Sequence, residues 1–526
     1  MNSLRWTTVF VLLIFTLVGF CGNGYAIPAF SRQYGTSCAT CHVDFPKLND
    51  FGKAFKDAGF KFPKDDETFI KVPPVMLGAP AQKDTWPHSI WPGTIPGLPP
   101  IGLRFNTFFQ VVSKNRNNFA AGNLANPGTF IPRTDFQSGL FSIFMAGNFG
   151  SDIAFWVDDD LSVGGSGADG GLGDGYLKFV NIGRFLKLPT DALSLRVGQF
   201  ELDLPFSPAR SHNLSGWDIF DEANIGAQNS VFPQQNVNNA FALSSAAQGV
   251  EFSGGHQYRG YHYSLAIVNQ NTGGTPSGGA NVPPVVGFFS DSNFKDLYGR
   301  LSYRFNLERD AAVRNEIQAA GPTGPRDHTY LSLGTFYFYG RSVQRFNGFQ
   351  SDGTTPQTLT AREPFYRAGA DFSFNYHTFN LYGMFMYGHD KNLLPFTLPT
   401  LPSDAGPNAF VNGHPATFSG GFLQADYLVH PWLMAIMRYD VVNSNADRIN
   451  GFGADVTNPP AAPFFSPFHV TRNRITPGVQ FLIHANIKAS FEYQVRPQQA
   501  VFDSNGTQLT KPFRTNSAVA GLEFVY

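Results

Sequence analysis

From residue 101 to the end of the chain, apolar and polar residues alternate with a period of two in segment after segment. In "NIKASFEYQVRP", Ile487, Ala489, Phe491, Tyr493 and Val495 alternate with Lys488, Ser490, Glu492, Gln494 and Arg496. In "EPFYRAGADFSFNY", Tyr366, Ala368, Ala370, Phe372 and Phe374 alternate with Arg367, Gly369, Asp371, Ser373 and Asn375. Successive residues of a strand point to opposite sides, so each segment offers one face to lipid and one to water. About sixteen such segments are present, each near the roughly ten residues that a tilted membrane strand needs. They begin near Leu103, Gln137, Asp152, Gly175, Leu193, Gly249, Gly260, Asp296, Tyr330, Phe365, Phe379, Phe418, Leu433, Thr476, Ile487 and Ser517. The even count suits a closed single-chain barrel.

The joins between segments give an independent test. Tight turns are expected at "NFGS", "GHQYRG", "NYHT", "VHPW" and "IHAN", and the joins on the other side are long and rich in Gly, Asn, Ser and Pro. Short turns on one side and long loops on the other are the habit of outer-membrane barrels. One join breaks the rule, because residues 306–328 are long where a short turn is due. The chain ends "AVAGLEFVY", with Ala518, Ala520, Leu522, Phe524 and Tyr526 on one face, which resembles the terminal strand of bacterial outer-membrane barrels. A soluble sandwich or propeller also alternates, but strand number, loop asymmetry and terminal strand agree on an all-β fold, a 16-stranded antiparallel transmembrane β-barrel.

Composition supports a lipid-facing wall. Gly 54, Phe 54 and Tyr 19 are high counts, and only 15% of residues are charged. The formal net charge of −1 leaves no footprint for nucleic acid, and outer-membrane lipid is the expected surrounding. Residues 1–26 carry an early Arg5, an apolar run and small residues at Gly24 and Ala26, the layout of a signal peptide cleaved after Ala26. Cys21 raises a lipoprotein reading, against which Phe20 is too bulky. Beyond the signal no apolar run reaches the roughly 18 to 20 residues of a membrane helix.

Ahead of the barrel stands "TSCATCHVDFPKL". Cys-x-x-Cys-His is the attachment pattern of c-type haem: Cys38 and Cys41 would form the thioethers and His42 would be the proximal iron ligand. Three other readings compete. A disulfide or thioredoxin-like redox pair between Cys38 and Cys41 lacks its usual βαβ setting, a zinc site lacks a second ligand pair, and a chance match is the third. Behind the motif, Leu48, Phe51, Phe55 and Ala58 share one face of a helix expected over residues 47–58, with Pro46 ahead of it and Gly59 as its stop. The expected organisation is a signal peptide over 1–26, a small α-helical c-type haem domain over 27–72, an extended Pro-rich connector over 73–100, and the barrel over 101–526. Met76, the only methionine between motif and barrel, is the expected sixth ligand, with His88 in the same connector as its rival; the plain alternative is that Met76 only packs.

The stretch "IPAFSRQYGTSCATCHVDFPKLNDFGKAFKDAGF" resembles the N-terminal signature of the fused monohaem cytochrome-porin family, closely over residues 27–60 and in architecture only beyond them. The resemblance implies one covalently bound haem c, held in the barrel lumen or at its periplasmic mouth, in the bacterial outer membrane. It also implies Fe(II) outside the cell as electron donor and a periplasmic cytochrome as acceptor. A porin with a haem plug or sensor, and an outward conduit that reduces an external acceptor, stay open beside it. Loop acids such as Asp218, Asp221, Glu222, Asp291 and Asp404, and above all the run Asp158, Asp159 and Asp160, are candidate docking points for Fe(II), with an ordinary polar rim as the plain reading.

Overall fold

The computed structural model describes residues 29–526 apart from 89–92, 113–132, 151, 163–170, 209, 223–242, 244–245, 270–293, 308–328, 351, 353, 392, 397–407, 413–414, 445–470 and 496–515. The signal peptide, Asp291, Asp404 and residues 308–328 of the long join fall outside the described residues.

All sixteen expected strands are present in order: β1 (Ile101–Val112), β2 (Arg133–Phe149), β3 (Ile153–Ser162), β4 (Gly171–Phe179), β5 (Ser194–Phe200), β6 (Ala247–His256), β7 (Arg259–Val268), β8 (Asp296–Asn306), β9 (Tyr330–Phe349), β10 (Pro356–Tyr376), β11 (Phe379–Asp390), β12 (Ala416–His430), β13 (Leu433–Ser444), β14 (Thr471–His484), β15 (Ile487–Gln494) and β16 (Ser517–Val525). They close into one antiparallel barrel in which β16 pairs with β1. Tight turns join β2 to β3, β6 to β7, β10 to β11, β12 to β13 and β14 to β15, as the sequence predicts.

Three stretches depart from expectation. β9 and β10 run for 20 and 21 residues, about twice the expected length, and residues read as a long loop continue their ladder to a turn at Asp352. The Asp352 carboxylate closes that turn by accepting from the amides of Thr354 and Thr355, both at 2.9 Å. Between β4 and β5, on the short-turn side, residues 180–193 carry a 3-10 helix, Ile182–Leu186. The connector is not wholly extended: Pro80 stands at the start of a short helix, Pro80–Thr85, where its missing N–H costs nothing.

The alternation sorts inside from outside. On β15, Lys488, Ser490, Glu492 and Gln494 are buried inward while Tyr493 is exposed. Leu265, Ile267, Leu301, Phe385, Leu423 and Met437 belong to an exposed apolar belt, larger than a soluble monomer shows. Along β10, outward Tyr366 and Tyr376 lie ten residues apart, about 25 Å at a strand tilt of about 40°. That height matches a hydrocarbon layer edged by aromatic rings, so the barrel spans a membrane.

Two elements enter the lumen. Residues 29–71 sit in its short-turn end around helices α1 (Ala29–Tyr34) and α2 (Asp50–Asp57). Asn49 caps α2 by accepting from Gly52 N at 2.9 Å, and Gly59 follows with φ +79°, the left-handed stop the sequence predicts. Tyr34, Phe51, Phe55, Phe60 and Phe62 form the small core of this unit. Its helices are short, and it leans on the barrel for much of its packing. Arg304 of β8 grips Asp50, Lys47 reaches Asp426 and Asn380 at 3.0 Å each, and Gln257 N donates to Asp57 at 3.0 Å. The second element is a strap, residues 201–222, which leaves β5 and crosses to the far wall. There Leu214 N and Ser215 N donate to Glu492 at 2.7 and 3.1 Å, and Trp217 stacks on Phe422 with ring centroids 4.7 Å apart. His212 of the strap and Lys47 of the N-terminal unit meet on one carboxylate, Asp426.

Candidate cofactor site

Cys38 opens a 3-10 turn, Cys38–Thr40, and Cys41 N closes it on Cys38 O at 3.1 Å, so both thiols lie on one short turn. Asn49 holds that turn through the carbonyls of Ala39 and Thr40. Gly52 allows α2 to approach, because a Cβ there would stand 2.2 Å from Cys41 O. Both cysteines are free and half-buried. Burial pushes the Cys38 thiol up, and burial with the neighbouring Cys38 pushes Cys41 up to about 12. A reactive redox pair needs the opposite shift, toward thiolate.

His42 follows directly, with Nδ1 3.2 Å from Pro46 O. A carbonyl only accepts, so Nδ1 carries the proton and Nε2 keeps its lone pair, the tautomer of a metal-ligating histidine. Burial lowers its pKa to about 4, with the Pro46 carbonyl pulling the other way. At neutral pH the ring is uncharged and able to ligate.

Cys38, Cys41 and His42 line one cavity of about 410 Å³ between the N-terminal unit, the barrel wall and the strap. That volume lies within the range of ligand pockets. Phe30, Phe55, Phe60, Phe144 and Trp156 supply its apolar sides. The wall comes from strand register: Val525, Arg104, Ser142 and Asp160 are successive cross-strand neighbours, and so are Ala146, Trp156 and Tyr176. All seven face the cavity. Two thiols on one turn, an imidazole in the ligating tautomer and an apolar chamber of this size fit a covalently held haem. When bound, it would supply a one-electron couple. Cys38 and Cys41 would hold it and His42 would ligate the iron.

Neither Met76 nor His88 lines this cavity. Met76 is 38% exposed on a two-residue strand, Val75–Met76, and His88 is exposed in the connector. The structure therefore does not bring either expected sixth ligand to Cys38, Cys41 and His42. The acidic run divides by strand alternation: Asp158 and Asp160 face the cavity, and Asp159 does not. Asp158 accepts from Asp174 N and Asp160 from Ser142 Oγ. Asp218 is not on an outer loop; it sits in the strap, paired with Arg474 at 3.0 Å. Among the described residues no three His, Cys, Asp or Glu side chains are grouped to hold a bare metal ion. Asp158 and Asp160 are thus part of the cavity wall.

Sequence reasoning missed the strap and the cavity's cations Lys56, Arg104 and Arg210. They come from elements far apart in the chain, and no local pattern marks them.

No protein-family model matches this chain, and no curated protein matches it in sequence. Among solved structures it is similar to the outer-membrane channel DcaP of Acinetobacter baumannii, at 10% identity over 81% of this chain and 96% of that one, with a TM-score of 0.44. OprB of Pseudomonas putida is similar at 10% identity over 81% and 94%, TM-score 0.44, and OmpF of Salmonella typhi at 10% over 82% and 98%, TM-score 0.42. At such identities and scores the likeness says nothing about what this chain does.

Proposed function

We propose that the chain is an outer-membrane c-type cytochrome fused to a porin-like barrel, with one haem c attached at Cys38 and Cys41 and ligated by His42. It passes electrons from extracellular Fe(II) to a periplasmic cytochrome. One observation carries this reading: the cysteine pair and His42 open together into an apolar chamber inside a barrel whose lumen is occupied by two elements. A redox centre outside the barrel would face about 30 Å of hydrocarbon, too far for exchange with an insoluble donor. A chamber within the lumen shortens that route. The residue-level resemblance over 27–60 supports the family and its donor.

The chain's own groups do three things. Pro46 O fixes the His42 tautomer, aromatic side chains line much of the chamber, and the N-terminal unit and strap occupy the lumen. This last feature favours electron transfer over bulk transport. The test is the full-length protein purified from an exporting host. A haem-stained band, a haem spectrum, and rapid reduction by Fe(II) with conductance far below that of an open 16-stranded porin are expected. Absence of covalent haem, or a potential too low for Fe(II) to reduce it, overturns the proposal. Porin-sized conductance transfers the function to transport.

A further inference from the structure

Three cations line the cavity, and two have partners: Arg104 pairs with Glu523, and Arg210 with Asp174 at 2.7 Å. The Lys56 ammonium has no hydrogen bond or ion pair among the described residues, although the Asp203 and Glu201 carboxylates feel its charge. Lys56 lies on the same face of α2 as Gly52, one helical turn beyond the contact with the Cys41 carbonyl, and lines the cavity with it. The charges that act on it most are Arg210, Arg196, Asp203 and Lys178, three of the four cationic. The acids of the same wall have partners: Glu201 accepts from Ser207 at 2.6 and 2.7 Å, and Asp158 and Asp160 are engaged as described above. Lys56 is half-buried, and a cation drawn out of water without a paired anion is costly unless an anion joins it.

We propose that Lys56 is the counter-ion for a carboxylate of the cavity's ligand, a haem propionate on the reading given above, on which this inference rests. Burial, then Arg210 and Arg196, press the free amine's pKa down to about 8, and a nearby carboxylate reverses that pressure. A cation beside the haem disfavours the extra positive charge of ferric iron, so Lys56 raises the potential, in the direction oxidation of Fe(II) needs.

The test compares full-length holoprotein with Lys56→Met and Lys56→Arg by redox titration and absorption spectra. In Lys56→Met the ferrous-to-ferric ratio at a fixed poise is expected to fall about tenfold, or about 59 mV for one electron, with the axial-ligand bands unchanged. Lys56→Arg is expected to restore it. An unmoved potential in Lys56→Met overturns the assignment. A switch to a high-spin spectrum also overturns it and makes Lys56 an iron ligand instead. A wild-type potential that follows added chloride or phosphate identifies a soluble anion as the partner and likewise overturns it. Wild-type protein without covalent haem defeats the functional reading itself, a result that staining separates from all of these.

Discussion

Arg304 donates through Nη1 and Nη2 to the two carboxylate oxygens of Asp50, at 2.7 and 2.6 Å, and so joins the first helix turn after the cysteine motif to the eighth strand of the barrel. Both side chains are almost fully buried, at 3% and 6% exposure. Removing one member of such a pair leaves the other charge stranded, at a cost of about 3–5 kcal/mol. Arg304→Met is therefore expected to loosen the N-terminal unit, read as faster proteolysis within residues 29–71 while the barrel stays resistant. Unchanged cleavage would show that the pair does not hold the unit.

The same pair sets an acid limit. Burial alone would raise the Asp50 carboxyl, but Arg304 and Lys53 bring it to about 2, below the roughly 3.9 of an unfolded aspartate. A depressed folded-state value means that the pair's contribution is present in full above about pH 4 and is lost as pH falls through about 2. Protease resistance of the N-terminal unit is expected to hold at pH 4 and to drop between about 4 and 2, with the drop smaller in Asp50→Asn. A profile identical in that variant refutes the linkage.

Gly52→Ala gains helix propensity on an ordinary helix. Here the added methyl meets Cys41 O at 2.2 Å and Leu48 Cδ2 at 3.0 Å, and backbone cannot swing aside. A loss of about 1–3 kcal/mol is expected, together with less haem stain per unit of barrel protein. Full incorporation and an unshifted melting curve would count against the close approach seen here.

Cys38→Ala with Cys41→Ala is expected to give a folded, heat-resistant barrel without stain, whereas Met76→Ala and His88→Ala should leave spectrum and potential as they are, because neither side chain lines the cavity. A shifted ferrous spectrum in Met76→Ala would return that residue to the iron.

Glu492 holds the strap through two backbone N–H groups and Ser215 Oγ. Glu492→Ala strands these donors and is expected to destabilise the strap by about 2–4 kcal/mol. Faster hydrogen exchange over residues 210–218 and a rise in conductance are the readouts. If exchange rises and conductance does not, the N-terminal unit alone closes the lumen.

The barrel was legible because strand alternation is a local property: Lys488, Ser490, Glu492 and Gln494 announce an inward face wherever they lie in the chain. The cysteine turn, the helix behind it and its stop at Gly59 were legible for the same reason. What could not be read is who meets whom across the lumen. The strap looks like a long polar loop until Trp217 is placed against Phe422 and Asp218 against Arg474. The outer half of the β9–β10 hairpin lacks a lipid-facing pattern in the sequence, although its backbone pairs on to Phe349 and Pro356. Met76 follows from elimination within a segment, and elimination carries no geometry.

Cys38 and Val525 line the same cavity although they stand at opposite ends of the chain, and Leu103 and Tyr526 exchange backbone hydrogen bonds at 2.7 Å where the barrel closes. The chamber has all its walls only when the last strand has found the first. A barrel left open at this seam can keep the cysteine motif intact and still lack one wall of the chamber, so the candidate site forms only with closure of the sheet.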